Sequence, residues 1–364
     1  MDEAVRTSKM QEHYAAAQEA ERLAAGVGEL ERIRTHEVLG RHLPKAPAKI
    51  LDVGGAAGVH ALLLAKQGYE VHLSDPVPKH VEQAKEASRE QPKFPIASCK
   101  VGDARKIEQD ERSADAVLLF GPLYHLTERA GRLKALREAY RVLRAGGRVF
   151  AAAISRFASL MDGVSRDLVA DPKFVEIVRQ DLKNGQHRNP TDNPQYFTST
   201  FFHHPDDLQR EIEDAGFAFE KVVAVEGPVW TMGNFSKHWN EPTKRALLLE
   251  FLRKVENERA LLGATAHMIG IGKKQRAQPG RGRRTEDKMR RSVEGDGPSS
   301  ILADALKMTG FLFCGPADET DDSSTISVRE ERSTGGRFRR RCCSGRCRHE
   351  AGRLSLRHRG VRRD

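Results

Sequence analysis

The chain has 364 residues, 38% hydrophobic and 31% charged, enough for one large domain or two small ones. No apolar run approaches the roughly 20 residues of a membrane-spanning helix, and residues 1–6 start no apolar signal core, so a cytoplasmic location is expected. The net charge of +10 hints at nucleic acid. However, residues 276–364 hold 21 Lys and Arg against 13 Asp and Glu, a net of +8, which leaves +2 for residues 1–275.

Residues 10–43 read as helix. Tyr14, Ala15, Leu23, Leu30, Ile33, Val38 and Leu39 lie among charges, and Gly26 and Gly28 mark a joint. A helix here either packs over a sheet edge or caps a bound ligand, in which case Tyr14 reaches the acceptor. Residues 49–58 read Lys-Ile-Leu-Asp-Val-Gly-Gly-Ala-Ala-Gly. They predict a buried strand at 50–53 and a turn of small residues at 54–58. A helix follows and stops at Gly68. Strand, glycine turn and helix form the first half of a nucleotide-binding βαβ unit. Glycine there lets a ligand lie against the backbone, and the helix N-terminus offers free N–H groups. Gly54, Gly55 and Gly58 satisfy no G-x-G-x-x-G frame, and Val59-His60 is not the Lys-Ser/Thr pair of a P-loop. Asp52, two residues before Gly54, disfavours a pyrophosphate and suits an ammonium group.

The second strand, 69–74, alternates apolar residues and ends at Asp75. An acid at that place can accept both ribose hydroxyls; before Pro76 it can equally cap the next helix, 78–90. A third strand, 96–101, leads into Gly102-Asp103-Ala104. The fourth, 113–120, is a continuous apolar run, as a central parallel strand should be. It opens into Gly121-Pro-Leu-Tyr-His-Leu126, and the loop after a central strand faces the ligand crevice. Tyr124 and His125 are therefore candidate catalytic residues, His125 as general base because it titrates near neutrality. A helix at 128–143 and Arg144-Ala-Gly-Gly147 precede the fifth strand, 148–154.

Phe157, Leu160, Met161, Val164 and Leu168 form an amphipathic stripe, Asp171-Pro172 breaks it, and Phe174, Ile177, Val178 and Leu182 form a second. Residues 155–197 can thus be core helices or a lid over the substrate. His203-His204 begins a helix ending at Gly216; the pair has no third ligand at helical spacing, so no metal is expected. A strand at 217–226 follows. Residues 227–230 and 238–239 make an aromatic loop able to wall a pocket. A helix at 242–260 then precedes a last strand at 264–271, antiparallel at the sheet edge.

Taken together, Asp-Val-Gly-Gly-Ala-Ala-Gly, Asp75, Gly-Asp-Ala, Gly-Pro-Leu-Tyr-His-Leu and Leu-Arg-Ala-Gly-Gly resemble the class I S-adenosylmethionine-dependent methyltransferases. The likeness is to small-molecule enzymes of the type 11/25 kind, over residues 10–275. Ala56 stands where the middle glycine of the first motif is usual. The resemblance implies a doubly wound seven-stranded Rossmann-like α/β sheet of order 3-2-1-4-5-7-6 in residues 45–275, behind an N-terminal helical cap at 1–44. It implies S-adenosyl-L-methionine as cofactor, held by Asp52, Gly54, Gly55 and Gly58, by Asp75 and Pro76, by Asp103 and Ala104 near the adenine, and by Phe120. The expected reaction is methyl transfer to a small molecule by direct displacement. The rivals are an NAD-dependent oxidoreductase and a degenerate methyltransferase scaffold with an RNA-binding tail.

Residues 276–364, rich in Arg, Gly and Ser, have one apolar stretch, 301–313, too little to offset ordering entropy; a disordered tail is expected. It would bind nucleic acid only non-specifically. Cys342, Cys343, Cys347 and His349 are too irregularly spaced to predict zinc. Cys99 stands alone in the first part, which suggests a reducing compartment.

Overall fold

A computed structural model describes residues 22–191 and 193–276. The expectations for Tyr14, the rest of residues 1–21 and residues 277–364 lie outside these. In chain order the elements are α1 (Gly26–His42), β1 (Lys49–Val53), α2 (Val59–Lys66), β2 (Glu70–Asp75), α3 (Pro78–Arg89), β3 (Ser98–Val101), β4 (Ala114–Leu119), α4 (Pro122–His125) and α5 (Arg129–Val142). They continue with β5 (Leu143–Ser155), α6 (Ala158–Ser165), α7 (Pro172–Asn184), β6 (Gln186–His187), β7 (Thr200–His203), α8 (Pro205–Asp214), β8 (Ala218–Ala224), α9 (Phe235–Trp239), α10 (Pro242–Val255) and β9 (His267–Lys273).

Strands β3-β2-β1-β4-β5 pair in that order, all parallel, with Ile50 opposite both Val71 and Ala116. The free edge of β5 takes β9 antiparallel, from Arg148 opposite Lys273 to Ile154 opposite His267, and β8 pairs antiparallel outside β9. The expected order 3-2-1-4-5-7-6 is this path, with β9 and β8 as its last two strands. The sequence reading missed two short strands. β7 runs parallel to β5 at Ile154–Ser155, and β6 pairs antiparallel with β7. Each has four residues or fewer, too few for a periodic pattern to register. β5 also starts at Leu143, five residues before the expected Arg148. Leu143 pairs with Ala114, and the register shifts before Ala116–Arg148.

Alternation along the central strands divides their side chains between two cores. Leu51, Val53, Val117, Leu119, Val149 and Ala151 pack with Ala135, Leu136 and Ala139 of α5 and Leu208 and Ile212 of α8. Ile50, Ala116, Leu118 and Phe150 pack on the other face with Val38 and Leu39 of α1, Ala61, Leu64 and Ala65 of α2, and Ala84 of α3. Both faces of the parallel sheet are thus covered, so its central strands read as continuous apolar runs.

Of the expected aromatic wall, Trp230 packs in the cluster that holds Tyr124, and Trp239 instead anchors α1. Trp239, buried with Leu30 and Phe235, donates from Nε1 to Glu29 Oε2 at 2.8 Å. The fully buried Arg34 of α1 donates to the Val225 carbonyl at 3.3 Å and is ion-paired with Glu37 and with Glu256, beyond the end of α10. These bonds tie α1 against the β8–β9 edge.

Candidate functional site

A cavity of about 700 Å³ opens at the carboxyl ends of the parallel strands. Its lining includes Gly54, Gly55, Asp75, Pro76, Asp103, Ala104, Phe120, Tyr124 and His125. These are nine of the eleven residues the sequence put forward. Asp52 and Gly58 are not among the lining residues.

Asp52 lies wholly buried beneath the turn: a Cβ placed on Gly55 would come 2.7 Å from its Oδ2. Burial, with the nearby Asp75 charge adding, pushes its carboxyl up to about 7, against the lowering effect of the Ala61 N–H. The turn glycines also serve a purpose other than the expected one. A Cβ on Gly54 would stand 2.7 Å from Pro122 Cδ and 3.1 Å from the Phe120 carbonyl, so the β1 turn packs directly on the β4 loop. Gly54 and Ala56 both have positive φ, +80° and +46°, the latter in a region that costs an alanine about 1–2 kcal/mol.

Asp75 holds that strained turn. Its Oδ2 accepts the Ala56 N–H at 3.0 Å; its Oδ1 accepts the Val77 N–H at 2.9 Å and faces His80 Nδ1 at 3.1 Å. A carboxylate offers about four acceptor positions, so one on Oδ2 remains for a hydroxyl in the cavity. The ribose and turn-capping readings of Asp75 are therefore compatible. Asp103 is half exposed, and Arg105 grips it from Nε and Nη2, at 3.1 and 2.7 Å. Partial burial opposes its ionisation, but Arg105 holds its carboxyl below the usual range. Tyr124 and His125 come from the short α4, their rings edge-on at 4.6 Å, and Tyr124 packs on Ile154, Ala158 and Phe202.

No residue of 155–197 lines the cavity among those described. α7 packs with Tyr196 and Leu168 in its own cluster. The cap is supplied by the segment around α1, through Arg22, Leu23, Glu31 and Thr35. Of the histidine pair, His203 is fully buried with Nε2 3.3 Å from Glu211 Oε2, inside a network with Arg132.

Five residues at or beside the cavity escaped the sequence reading. His60, in the first turn of α2, stands edge-on to Phe120 at 5.3 Å, with Nδ1 3.1 Å from His36 Nε2. Burial lowers both imidazoles, to about 4 and about 3, so the pair is neutral. His267 opens β9. Its Nδ1 lies 2.6 Å from Oε1 of the buried Glu226 and 3.7 Å from Glu31. The usable signal was topological: an antiparallel last strand puts its first residue on the ligand edge of the sheet.

S-adenosylmethionine fits these donors. The strand-ending Asp75 keeps one open acceptor position for a ribose hydroxyl, the turn backbone faces the cavity without side chains at Gly54 and Gly55, and Phe120 offers an apolar wall. Residues 50–147 match a family model described as a methyltransferase domain. An uncharacterized methyltransferase of Mycobacterium bovis and two of Mycobacterium tuberculosis are each 32% identical over 128 residues, covering 34% of this chain and 49% of theirs. The chain thus spans about half the length of the curated relatives it matches. A solved S-adenosylmethionine-dependent methyltransferase from Methanosarcina mazei aligns at a TM-score of 0.46, with 15% identity over 66% of this chain and 98% of its own. The motifs and the strand path agree with the family match: residues 50–147 match a methyltransferase domain, of the kind for which S-adenosylmethionine is the cofactor.

Proposed function

We propose that the protein methylates a small molecule. The carrying observation is one cavity that runs from the glycine turn and Asp75 to Tyr124, His125 and the α1 cap. Its volume of about 700 Å³ lies within the ~300–1,000 Å³ of small-molecule sites. S-adenosylmethionine supplies a methyl on a sulfonium, which an acceptor lone pair takes as the carbon–sulfur bond breaks. With so good a leaving group, the protein mainly supplies proximity, alignment and water exclusion. Asp75, Pro76, Asp103, Ala104 and Phe120 serve the cofactor end; Tyr124 and His125 face the acceptor, with His125 the candidate to take a proton where one must leave. The small net charge of residues 1–275 favours a small acceptor over nucleic acid.

A screen of small metabolites for S-adenosylhomocysteine release, beside His125→Ala and Tyr124→Phe, tests this reading. Turnover of one metabolite with a reduced rate in His125→Ala is expected. Release driven only by RNA or protein would contradict the small-molecule reading. A full rate in His125→Ala across pH would remove the general-base role alone.

A further inference from the structure

The cavity wall contains a histidine built for a purpose the cofactor end does not explain. His267 lines the cavity, its side chain 23% exposed. Its partner Glu226 has no exposed surface and accepts three hydrogen bonds. Oε2 accepts Thr265 Oγ1 at 2.8 Å and the His267 N–H at 2.9 Å, and Oε1 meets His267 Nδ1 at 2.6 Å. With Nδ1 so pinned, Nε2 is the ring nitrogen left for a ligand, and it has no partner among the described residues.

Resting on the methyl-transfer reading above, we propose that the Glu226–His267 pair is the acceptor subsite and that it takes a phenolate oxygen on the Nε2–H of His267. The charged and titratable groups around the ring are Glu226, Glu31 and Arg32 of α1, Arg22, and the His36–His60 pair. Burial alone would lower His267, but Glu31 and Glu226 outweigh it and raise it to about 9, so the imidazolium prevails near neutrality. Arg22 already occupies Glu31, which leaves little anionic charge to attract an ammonium acceptor. The nearby walls are flat or apolar: His60 against Phe120, with Val225, Ile269 and Ala152. That combination suits an aromatic ring carrying one anionic oxygen. The phenol releases its proton to solvent as it binds beside the imidazolium, so transfer to this oxygen needs no general base, and for a phenolic acceptor His125 contributes by lining the acceptor end rather than by taking a proton. Glu226 is the positioning residue that fixes the ring and keeps its proton.

The test titrates the full chain, saturated with S-adenosylhomocysteine, with 4-nitrophenol, whose ionised form absorbs visible light, and with its methyl ether, 4-nitroanisole. Near neutral pH the phenol should bind at least about tenfold more tightly than the ether, the scale of a charge-assisted hydrogen bond. The advantage should fall as pH rises through about 9, where His267 loses its proton, and should vanish in His267→Gln. In Glu31→Gln the fall should move to lower pH, because one carboxylate holding that proton is gone. Equal affinities, an advantage that survives His267→Gln or is lost to a chelator, or no fall with pH would each overturn the subsite. Calorimetry of S-adenosylhomocysteine separates the two claims. Wild type that fails to bind it sinks the methyl-transfer reading. If His267→Gln alone fails to bind it, His267→Asn and the pH profile of Glu31→Gln decide.

Discussion

Asp75 Oδ2 accepts the Ala56 N–H at 3.0 Å, so the acid that ends β2 fastens the turn that ends β1. One side chain thereby shapes the cofactor end of the cavity and faces it. Asp75→Ala should weaken S-adenosylhomocysteine binding at least about tenfold and cost about 1–3 kcal/mol of stability through the freed buried N–H groups. Asp75→Asn, which keeps one acceptor oxygen, should fall between. Calorimetry and denaturant melts check both; unchanged affinity in Asp75→Ala would remove its ligand role.

Ala56 carries a positive φ of 46° where a glycine would rest without strain. Ala56→Gly should therefore raise stability by up to about 1 kcal/mol, the αL strain of alanine less the extra chain entropy of glycine. A loss of stability in denaturant melts would show that the methyl group packs usefully.

Asp52 has a folded-state pKa raised from 3.8 to about 7 by burial and by Asp75. Between those values the native state holds a proton that the unfolded chain has released, so stability falls as pH rises from about 4 to 7. Asp52→Asn has no such titration. Relative to wild type it should gain roughly 2–3 kcal/mol between pH 5 and pH 8, at 1.36 kcal/mol for each of the about two pH units between 5 and the folded pKa. Parallel melting curves at the two pH values would show otherwise.

Arg34 joins α1 to the Val225 carbonyl and to Glu256 with no exposed surface of its own. Arg34→Ala leaves Glu256 with the half-exposed Arg41, at 2.7 and 2.9 Å, and Asn257, at 3.3 Å, and should cost about 3–5 kcal/mol, the range for breaking a buried pair. Because α1 borders the cavity through Glu31 and Thr35, hydrogen exchange in residues 26–42 should accelerate more than in β1. Equal acceleration in both would mean that the cap is no separate unit.

The parallel half of the sheet was legible because its strands are buried on both faces and follow glycine-marked turns; Ile50–Val53 and Ala116–Leu119 needed no tertiary information. Nine candidate site residues were legible for the same reason, since the loops after parallel strands fall on one edge. The sequence could not show that Asp52 turns under the loop, because one-residue alternation does not say which side of a tight turn a carboxylate takes. Nor could it join Glu31, His60, Glu226 and His267, which are far apart in the chain and meet only through the antiparallel β9 and the α1 cap. Both stripes lie on helices, but an apolar stripe does not state what it covers: Phe174, Ile177 and Val178 pack with Tyr196 and Leu168, while Leu160 and Val164 of the first stripe stay exposed.

Isothermal titration of the purified full chain with S-adenosylhomocysteine and, separately, with NAD tests the central claim most directly. The account expects saturable binding of S-adenosylhomocysteine at one site, weakened in Asp75→Ala, and none of NAD. Binding of NAD without S-adenosylhomocysteine would contradict it.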